Sequence, residues 1–319
     1  MTLRRTALAA LLTAGLLWGL TVPLSKWALE WLDPAWLGVV RFTLAALPLA
    51  AVSRGRLRDA LSLRVALWGA GGYGLVIVLQ NVGIGYTSVS HAALIVGAAP
   101  VLVALLSTAL GRGTAGALAW TGFSVAVAGV FLVAGSGGGV ATLPGDAIVF
   151  LSVTGSAALI VAQPGLLAGR DPVAVTAVQL GAGALIALPI ALAVEGLPTQ
   201  PPAPGTLAAV LALAFAGTLL PFMLFAVGQA RVAPELAGAF VNLEPLVGAA
   251  MGALAFGDAF GQLQAIGAAL VLSGIALSTA PRGGGPGATG RAVRDGCRAR
   301  MRRPRTARRA RRARLAPAR

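Results

Sequence analysis

The feature that most restricts how this chain folds is a succession of ten apolar segments separated by short polar breaks. A helix needs about 20 residues to cross a bilayer, because each residue rises about 1.5 Å and the hydrocarbon core is about 30 Å thick. The segments of suitable length are residues 7–24, 34–52, 63–85, 90–110, 115–134, 146–166, 172–194, 205–229, 234–256 and 259–280. We therefore predict an all-α membrane protein with ten transmembrane helices.

The composition agrees with lipid as the main solvent of the chain. Hydrophobic residues make up 57% of the 319 residues and charged residues only 11%, against about 25% charged residues in an average soluble domain. The first apolar segment is longer than the roughly 7–15 residues of a signal-peptide core. It leads into Lys26 and Trp27 instead of a small-residue cleavage site. We interpret it as the first spanning helix.

The placement of basic residues predicts the orientation. With the N-terminus in the cytoplasm, the only basic residue of the outer loops is Lys26. The inner loops hold Arg4, Arg5, Arg54, Arg56, Arg58, Arg64, Arg112, Arg170 and Arg231. Cytoplasmic loops of membrane proteins carry such an excess of basic residues. We therefore predict a multi-pass protein of a bacterial-type inner membrane, with both termini in the cytoplasm.

The net charge of +15 belongs mainly to the last segment of the chain. Residues 282–319 contain fourteen arginines and one acidic residue. Because residues 281–319 lack an apolar period and are rich in Gly, Pro, Ala and Arg, we predict a disordered cytoplasmic tail. Such a tail is attracted to anionic lipid headgroups by about 1 kcal/mol per basic residue near the surface. Aromatic residues for base stacking are absent from it, so no specific nucleic-acid partner is expected.

Residue counts disfavour enzymatic functions. The chain has one cysteine, Cys297, and one histidine, His91, which excludes an internal disulfide and the Cys/His sets of zinc sites. It contains neither a Gly-x-Ser-x-Gly nucleophile elbow nor the phosphate-binding loop of an ATP-driven pump. We predict no catalytic residues, no metal and no cofactor.

Internal similarity indicates a duplication. A shift of 138 residues aligns Asp33-Pro34 with Asp171-Pro172, and a shift of 145 residues aligns Pro100 with Pro245. Chance similarity among Ala-, Gly- and Leu-rich helices is the alternative explanation. An odd number of helices in each copy makes the second copy enter the membrane from the opposite side, as in inverted-repeat transporters.

These alignments predict the domain organisation. We expect a first five-helix repeat at residues 1–134, an inter-repeat loop at 135–145 and a second five-helix repeat at 146–280, followed by the tail. Inverted repeats suit alternating access, since exchanging the shapes of the two halves opens the opposite side.

Several short motifs occur in an order that resembles EamA-type transporters of the drug/metabolite transporter superfamily. They are Trp18-Gly19, Asp33-Pro34, Arg41-Phe42, Tyr86 to Ser90 leading to Pro100, and Asn242 to Pro245. The resemblance covers residues 6–280. It implies a ten-helix carrier, often an exporter of amino acids or other metabolites, with a central cavity between the halves. The first repeat has Ala99 where the second has Glu244, so any role of this acid is asymmetric.

The predicted function is therefore a secondary transporter of small metabolites, either amino acids or amphipathic drugs, that exports them by alternating access. Protons are the candidate coupling ion. A non-transporting membrane scaffold or sensor and a lipid-active membrane enzyme are the alternatives. The amino-acid sequence does not identify the substrate.

Two charged residues lie at membrane depth, where a charge costs about 2.5–3.5 kcal/mol on insertion scales. Arg41 lies about 10 Å and Glu244 about 18 Å below the outer boundary, by helical rise. A buried pair between them is geometrically possible. Arg41 either contributes to substrate or anion binding or locks its helix in place. Glu244 takes up protons during transport, unless Arg41 holds it ionised.

Uncharged polar residues complete the candidate site. The substrate-path candidates are Trp18, Tyr73, Gln80, Asn81 and Asn242. Hydrogen bonding between helices is the alternative role for each of them. Gln80 and Asn81 are the better candidates, because adjacent amides point in different directions around a helix. A small-residue motif, Gly15-x-x-x-Gly19, predicts a close helix contact.

Overall fold

The computed structural model describes residues 2–86, 95–111, 116–134, 143–244, 246–247, 250 and 261–279. Regular structure in these residues is helical throughout. The α-helices are α1 (Thr2–Trp18), α2 (Thr21–Ala28), α3 (Pro34–Val52), α4 (Leu57–Ala60), α5 (Leu63–Gly69), α6 (Val76–Tyr86), α7 (Ala99–Ala109), α8 (Ala117–Ala134), α9 (Leu143–Leu167), α10 (Pro172–Ile190), α11 (Pro204–Ala214), α12 (Leu220–Gln229), α13 (Pro234–Ala239) and α14 (Gln262–Thr279). Outside the described residues lie the predicted tail, most of the inter-repeat loop, His91 and most of the second half of the predicted ninth span.

Within the residues that the structure describes, five helical stretches are long and apolar enough to cross a membrane. They are Pro34–Val52, Leu63–Gly83, Leu143–Leu167, Pro172–Glu195 and Pro204–Gln229. Shorter apolar helices follow the predicted spans at Ala99–Ala109, Ala117–Leu132 and Ala265–Ser278. An all-helical protein with several membrane-spanning helices is thereby confirmed, whereas the number of ten spans stays a prediction.

Several predicted spans are interrupted where a continuous α-helix was expected. The first breaks at the turn formed by residues 19–20, between α1 and α2. The third and the eighth contain the π-helical turns Ala70–Leu75 and Phe215–Leu219, and the ninth tightens into the 3-10 turn Phe240–Asn242. The two π turns begin 145 residues apart, which is the shift that aligns Pro100 with Pro245. The interruptions therefore recur in both halves of the chain.

Helix packing follows the same correspondence between the halves. Helix α1 of the first half packs against α12 of the second, and α9 of the second half packs against α6 of the first. In the same way, α3 packs against the π turn at 215–219 and α10 against the π turn at 70–75. Helices α3 and α10 pack against each other, as do α8 and α14. Corresponding helices of the two halves therefore make corresponding packing contacts with the opposite half.

Polar contacts fasten the α3–α10 pair at both ends. At one end, Glu195 accepts hydrogen bonds from the backbone N–H groups of Ala35 at 2.8 Å and Trp36 at 2.9 Å. At the other end, Arg56 forms an ion pair with Asp171 at 2.8 Å. We call these two sides of the bundle the Glu195 end and the Arg56 end.

The aligned Asp-Pro motifs cap their helices differently. The Asp171 side chain accepts a hydrogen bond from the backbone N–H of Ala174 at 3.0 Å and caps α10. Asp33 makes no such bond at the start of α3, where Glu195 from the opposite half satisfies the free N–H groups instead. A carboxylate at a helix N-terminus also interacts favourably with the helix dipole.

Glycines bring α8 and α14 into backbone contact. A Cβ atom built on Gly129 would lie 2.5 Å from the carbonyl oxygen of Gly267, and one built on Gly122 would lie 2.6 Å from that of Gly274. In lipid, helices associate through such close packing of small residues. The predicted contact at Gly15 is of the same kind, since its face meets the Phe240 carbonyl and Leu243.

We predict that Gly129→Ala destabilises the protein, because the added methyl group forces the α8 and α14 backbones apart. Overpacking of this kind costs about 1–3 kcal/mol. Thermal unfolding in detergent measures it as a fall of several degrees in melting temperature. Gly181→Ala on α10 is the matched control, since its nearest neighbour is the Ala46 side chain at 4.0 Å. Equal melting temperatures for the two variants would contradict the packing described.

Candidate functional site

A cavity of about 170 Å³ lies inside the helix bundle. A water needs about 10–15 Å³ of such space, so this cavity can hold a small organic molecule. It is lined by all but one of the predicted substrate-path residues: Trp18, Arg41, Tyr73, Gln80, Asn81 and Glu244. Residues predicted from both halves of the chain therefore face one space.

Arg41 reaches the cavity wall from α3 and is held by the opposite half. Its Nε donates to the Thr218 hydroxyl at 2.9 Å, and its Nη2 donates to the Gly217 carbonyl at 3.4 Å. The guanidinium carbon lies 5.7 Å from the centre of the Phe42 ring. Arg41 is only 4% exposed, so its charge is stabilised by these contacts and by what the cavity contains.

The π turn at 215–219 explains why these acceptors are available. In a π turn the backbone hydrogen bonds join residues five apart instead of four, so the regular α-helical bonding is interrupted. Lipid cannot bond a backbone group that loses its partner in this way. Thr218 donates its hydroxyl hydrogen to the Leu213 carbonyl at 2.8 Å, five residues back, and accepts from Arg41. The hydroxyl thus connects the π turn to the arginine. The remaining guanidinium N–H groups stay available to a ligand.

Glu244 lines the same cavity from the segment that follows the 3-10 turn and is half-buried. Among the described residues, the ion pair within 4 Å joins Arg56 to Asp171. Arg41 and Glu244 therefore do not form the direct pair that their depths made possible. They face the cavity as two separate charges of opposite sign.

A group of aromatic rings forms part of the cavity wall. Phe222 is the centre of this group, with ring centroids 5.3 Å from Trp18, 4.5 Å from Tyr73 and 6.4 Å from Phe42. Phe225 lies 4.8 Å from Trp18. These rings offer apolar contact area to a molecule in the cavity.

One side of the cavity reaches towards the Glu195 end. Its lining there includes Ser25 of α2, Leu29 directly after α2, and the amides of Gln80 and Asn81. Leu29 is exposed, at 37%. Asn81 also donates a hydrogen bond to the Pro34 carbonyl at 3.3 Å, at the same end of the bundle. The cavity wall therefore combines aromatic rings with amide groups, and it reaches an exposed residue, Leu29, on the side of the Glu195 end.

Asn242 does not line the cavity. It lies in the 3-10 turn, is 1% exposed and has no hydrogen-bond partner for either amide atom. Gln163 and Gln179 are also buried, and they hydrogen-bond each other in both directions at 2.9 Å. Their role is to join α9 to α10.

Sequence reasoning missed Thr218, Phe222 and Phe225. A hydroxyl or an aromatic ring in an apolar helix carries no signal of its own, because most such residues only pack or bond their own backbone. The internal repeat could have pointed to Thr218. The shift of 145 residues that aligns the two prolines also aligns Thr218 with Tyr73, which is a predicted substrate-path residue.

Comparison with known proteins adds a family and a fold. The sequence model of the EamA-like transporter family matches residues 5–135 and again residues 143–280. Among solved structures, 28 chains match. One of them, described only as a crystal structure of a protein, has a TM-score of 0.75 at 21% identity and covers 86% of this chain and 96% of its own. That likeness shows the fold alone. No curated protein matches this chain.

We predict that Thr218→Val destabilises the protein by about 1.5–3 kcal/mol, because it leaves buried, charged Arg41 without one of its acceptors. Thr218→Ser keeps the hydroxyl and should retain most of the stability. Thermal unfolding in detergent measures both. In an Arg41→Leu background the Thr218→Val effect should shrink, as a double-mutant cycle tests. A loss of equal size in both backgrounds would show that Thr218 does not act through Arg41.

Proposed function

Because the chain belongs to the EamA-like transporter family, within the drug/metabolite transporter superfamily, it is a membrane transporter, and we propose that it is a secondary carrier. The proposed carrier exports small zwitterionic metabolites such as amino acids, and it does so by alternating access. Membership of a transporter family favours this function over a membrane scaffold and over a lipid-active enzyme.

The observation that carries the proposal is the pair of separate opposite charges in one cavity. Arg41 presents the N–H groups that its protein acceptors leave free, and Glu244 presents a carboxylate on another helix. A guanidinium matches a carboxylate in a two-pronged hydrogen-bonded geometry. An α-amino acid, with a carboxylate and an ammonium group a few ångströms apart, satisfies both charges at once.

The aromatic rings of the cavity suit the side chain of such a substrate. Phe222, Phe225, Trp18 and Tyr73 offer apolar surface for a side chain, while Gln80 and Asn81 add amide groups at the accessible side. An amphipathic cationic drug would use Glu244 and the rings but leave Arg41 without a ligand partner. The cavity chemistry therefore favours zwitterions over cations.

Glu244 also supports coupling to protons. The Glu244 carboxylate can bind either the substrate ammonium group or a proton, but not both at once. Loading a proton from one side and a substrate from the other then drives exchange in opposite directions. This competition is the proposed basis of uphill export.

The cavity geometry supports alternating access. Its lining extends to Leu29, Gln80 and Asn81 on the side of the Glu195 end, where Leu29 is exposed. The arginine bias favours the Arg56 end as cytoplasmic, so this conformation is the proposed outward-facing state. The corresponding helix contacts of the two halves support ten spans in two inverted five-helix repeats, at residues 1–134 and 146–280. Exchanging the shapes of the halves would open the other side.

The remaining parts of the proposal concern the membrane. We place the protein in a bacterial-type inner membrane with both termini in the cytoplasm, on the basis of the arginine bias. Residues 281–319 then lie beside the inner leaflet, where their arginines are attracted to anionic headgroups.

We predict that amino acids exchange across proteoliposomes that contain this protein, whereas their amides and N-acetyl derivatives exchange at least about ten-fold more weakly. Each derivative leaves one buried charge unpaired, which costs about 1.5–3 kcal/mol. Counterflow of radiolabelled compounds measures this. Exchange of the amides at the rate of the parent amino acids would exclude Arg41 as the carboxylate site.

We predict that Glu244→Gln abolishes uphill transport driven by a pH gradient, while exchange persists with a raised KM. The glutamine accepts hydrogen bonds but neither titrates nor carries charge. Uptake into vesicles with and without a pH gradient measures both. Glu30→Gln, in the exposed turn after α2, is the control. Retained gradient-driven transport in Glu244→Gln would assign the coupling elsewhere.

A further inference from the structure

Buried polar atoms without a partner concentrate at one helix interface. Among the described residues, the buried side-chain atoms without a hydrogen bond are Ser107 Oγ, Glu235 Oε1 and both amide atoms of Asn242. These residues are 0%, 8% and 1% exposed. Elsewhere in the interior, Gln163 pairs with Gln179. Ser107 belongs to α7, and the other two unpaired residues belong to α13 and the 3-10 turn after it.

The three residues lie along the contact between these helices. Helix α7 packs against α13, and Gly238 meets the Val103 side chain, which a Cβ atom there would approach to 3.3 Å. Ala99 and Glu244 both line the cavity, so the two segments run antiparallel away from it. One helical turn from the Val103–Gly238 contact brings Ser107 level with Glu235. One helical turn in the opposite direction, Asn242 lies level with Ala99, which lines the cavity. We call this contact the α7–α13 seam.

The seam runs from the cavity to the Arg56 end. The chain crosses the bundle from the Glu195 end over residues 204–229, and α13 begins five residues later. Glu235, the second residue of α13, therefore lies near the Arg56 end. Asn242 lies two residues from Glu244 along the chain. Seven residues, or about 10 Å of helix, separate Glu235 from Asn242.

An unpaired buried polar group costs about 1–3 kcal/mol, and more than about 90% of such groups in proteins have a partner. The three residues with unpaired groups all lie on one seam, and each adds its own free-energy cost. The other buried side-chain amides of the described residues are hydrogen-bonded. Water supplies the missing partners if the helices separate at Val103 and Gly238, because a water typically needs two to four polar neighbours.

We propose that the α7–α13 seam is a water-filled proton route between the Arg56 end and Glu244, with Glu235 as the proton-binding carboxylate at its inner end. The inference rests on the proposed proton-coupled exchange. A proton leaves the Glu244 carboxylate, passes along water beside Asn242 and Ser107 to the Glu235 carboxylate, and is released from there into water at the Arg56 end. The Val103–Gly238 contact closes this route in the present conformation.

Few charges face Glu235 from the elements around it. Helices α7, α12 and α14 carry no ionisable residue within their described lengths, and α9 carries Asp146, four residues from its start at the Glu195 end. The 3-10 turn packs against α1, whose Arg4 and Arg5 are exposed. Arg231, at the start of this stretch, is exposed and donates to the Val227 carbonyl at 2.9 Å. Among the residues that the structure describes, Glu235 therefore takes part in no ion pair.

The first test measures proton movement coupled to an amino-acid gradient, with a pH-sensitive dye inside proteoliposomes. Glu235→Gln should lose proton movement at least ten-fold while amino-acid exchange continues. Glu235→Asp should retain proton movement, as should the control Glu30→Gln. Wild-type proton movement in Glu235→Gln overturns the route. Exchange without proton movement in the wild-type protein overturns the coupling and the route, whereas absence of any exchange refutes the proposed function itself.

The second test measures water in the seam and holds even if Glu235→Gln does not fold. In a Cys297→Ser background, Ser107→Cys should react during transport at least ten-fold faster with a small water-soluble methanethiosulfonate than Ala45→Cys. Ala45 is the control because it is fully buried on α3, in the cluster with Phe42 and Leu49, and does not belong to the seam. Equal reaction rates at the two positions overturn the proposal.

Discussion

Lipid offers a protein backbone no hydrogen-bond partner, so a membrane helix can be interrupted only where protein or water replaces the missing bonds. Within the described residues, most interruptions of the spans lie beside the central cavity; the π turn Ala191–Glu195, at the Glu195 end, does not line it. The break after α1 lies between Trp18 and Thr21, which both line it, and the π turn at 70–75 contributes Tyr73. The π turn at 215–219 supplies the acceptors for Arg41, and the 3-10 turn contributes Val241. The cavity therefore exists where the helices cannot be regular.

The two halves provide similar frameworks but different chemistry. Arg41 of the first half corresponds to Gln179 of the second, under the shift that aligns the Asp-Pro motifs. Gln179 is satisfied by Gln163 within its own half, whereas Arg41 reaches across to Thr218. The acid is likewise present only as Glu244, opposite Ala99 in the alignment. One half thus contributes the cation and the other the anion, which allows a dipolar ligand to span both halves.

Arg41 and Glu244 could be singled out from the sequence because charges at membrane depth are rare and costly. Their separation could not, since it depends on how far α3 and the ninth span are rotated about their axes. Asn242 shows the same limit: the 3-10 turn changes the helical phase, and its amide lies in the seam and not in the cavity. Thr218 could not be distinguished from other hydroxyls that bond their own helix, because its second partner, Arg41, lies 177 residues away.

The sequence by itself determined that this protein is a helical membrane protein with a duplicated chain and a place in a transporter family. Hydropathy, arginine placement and repeated motifs are properties of residue order, which folding does not change. Only the tertiary structure decided which side chains share the cavity, that the two central charges stay apart, and where polar groups are left without partners. Those outcomes depend on contacts between helices from opposite halves, and the packing of small residues and helix breaks far apart in the chain determines them.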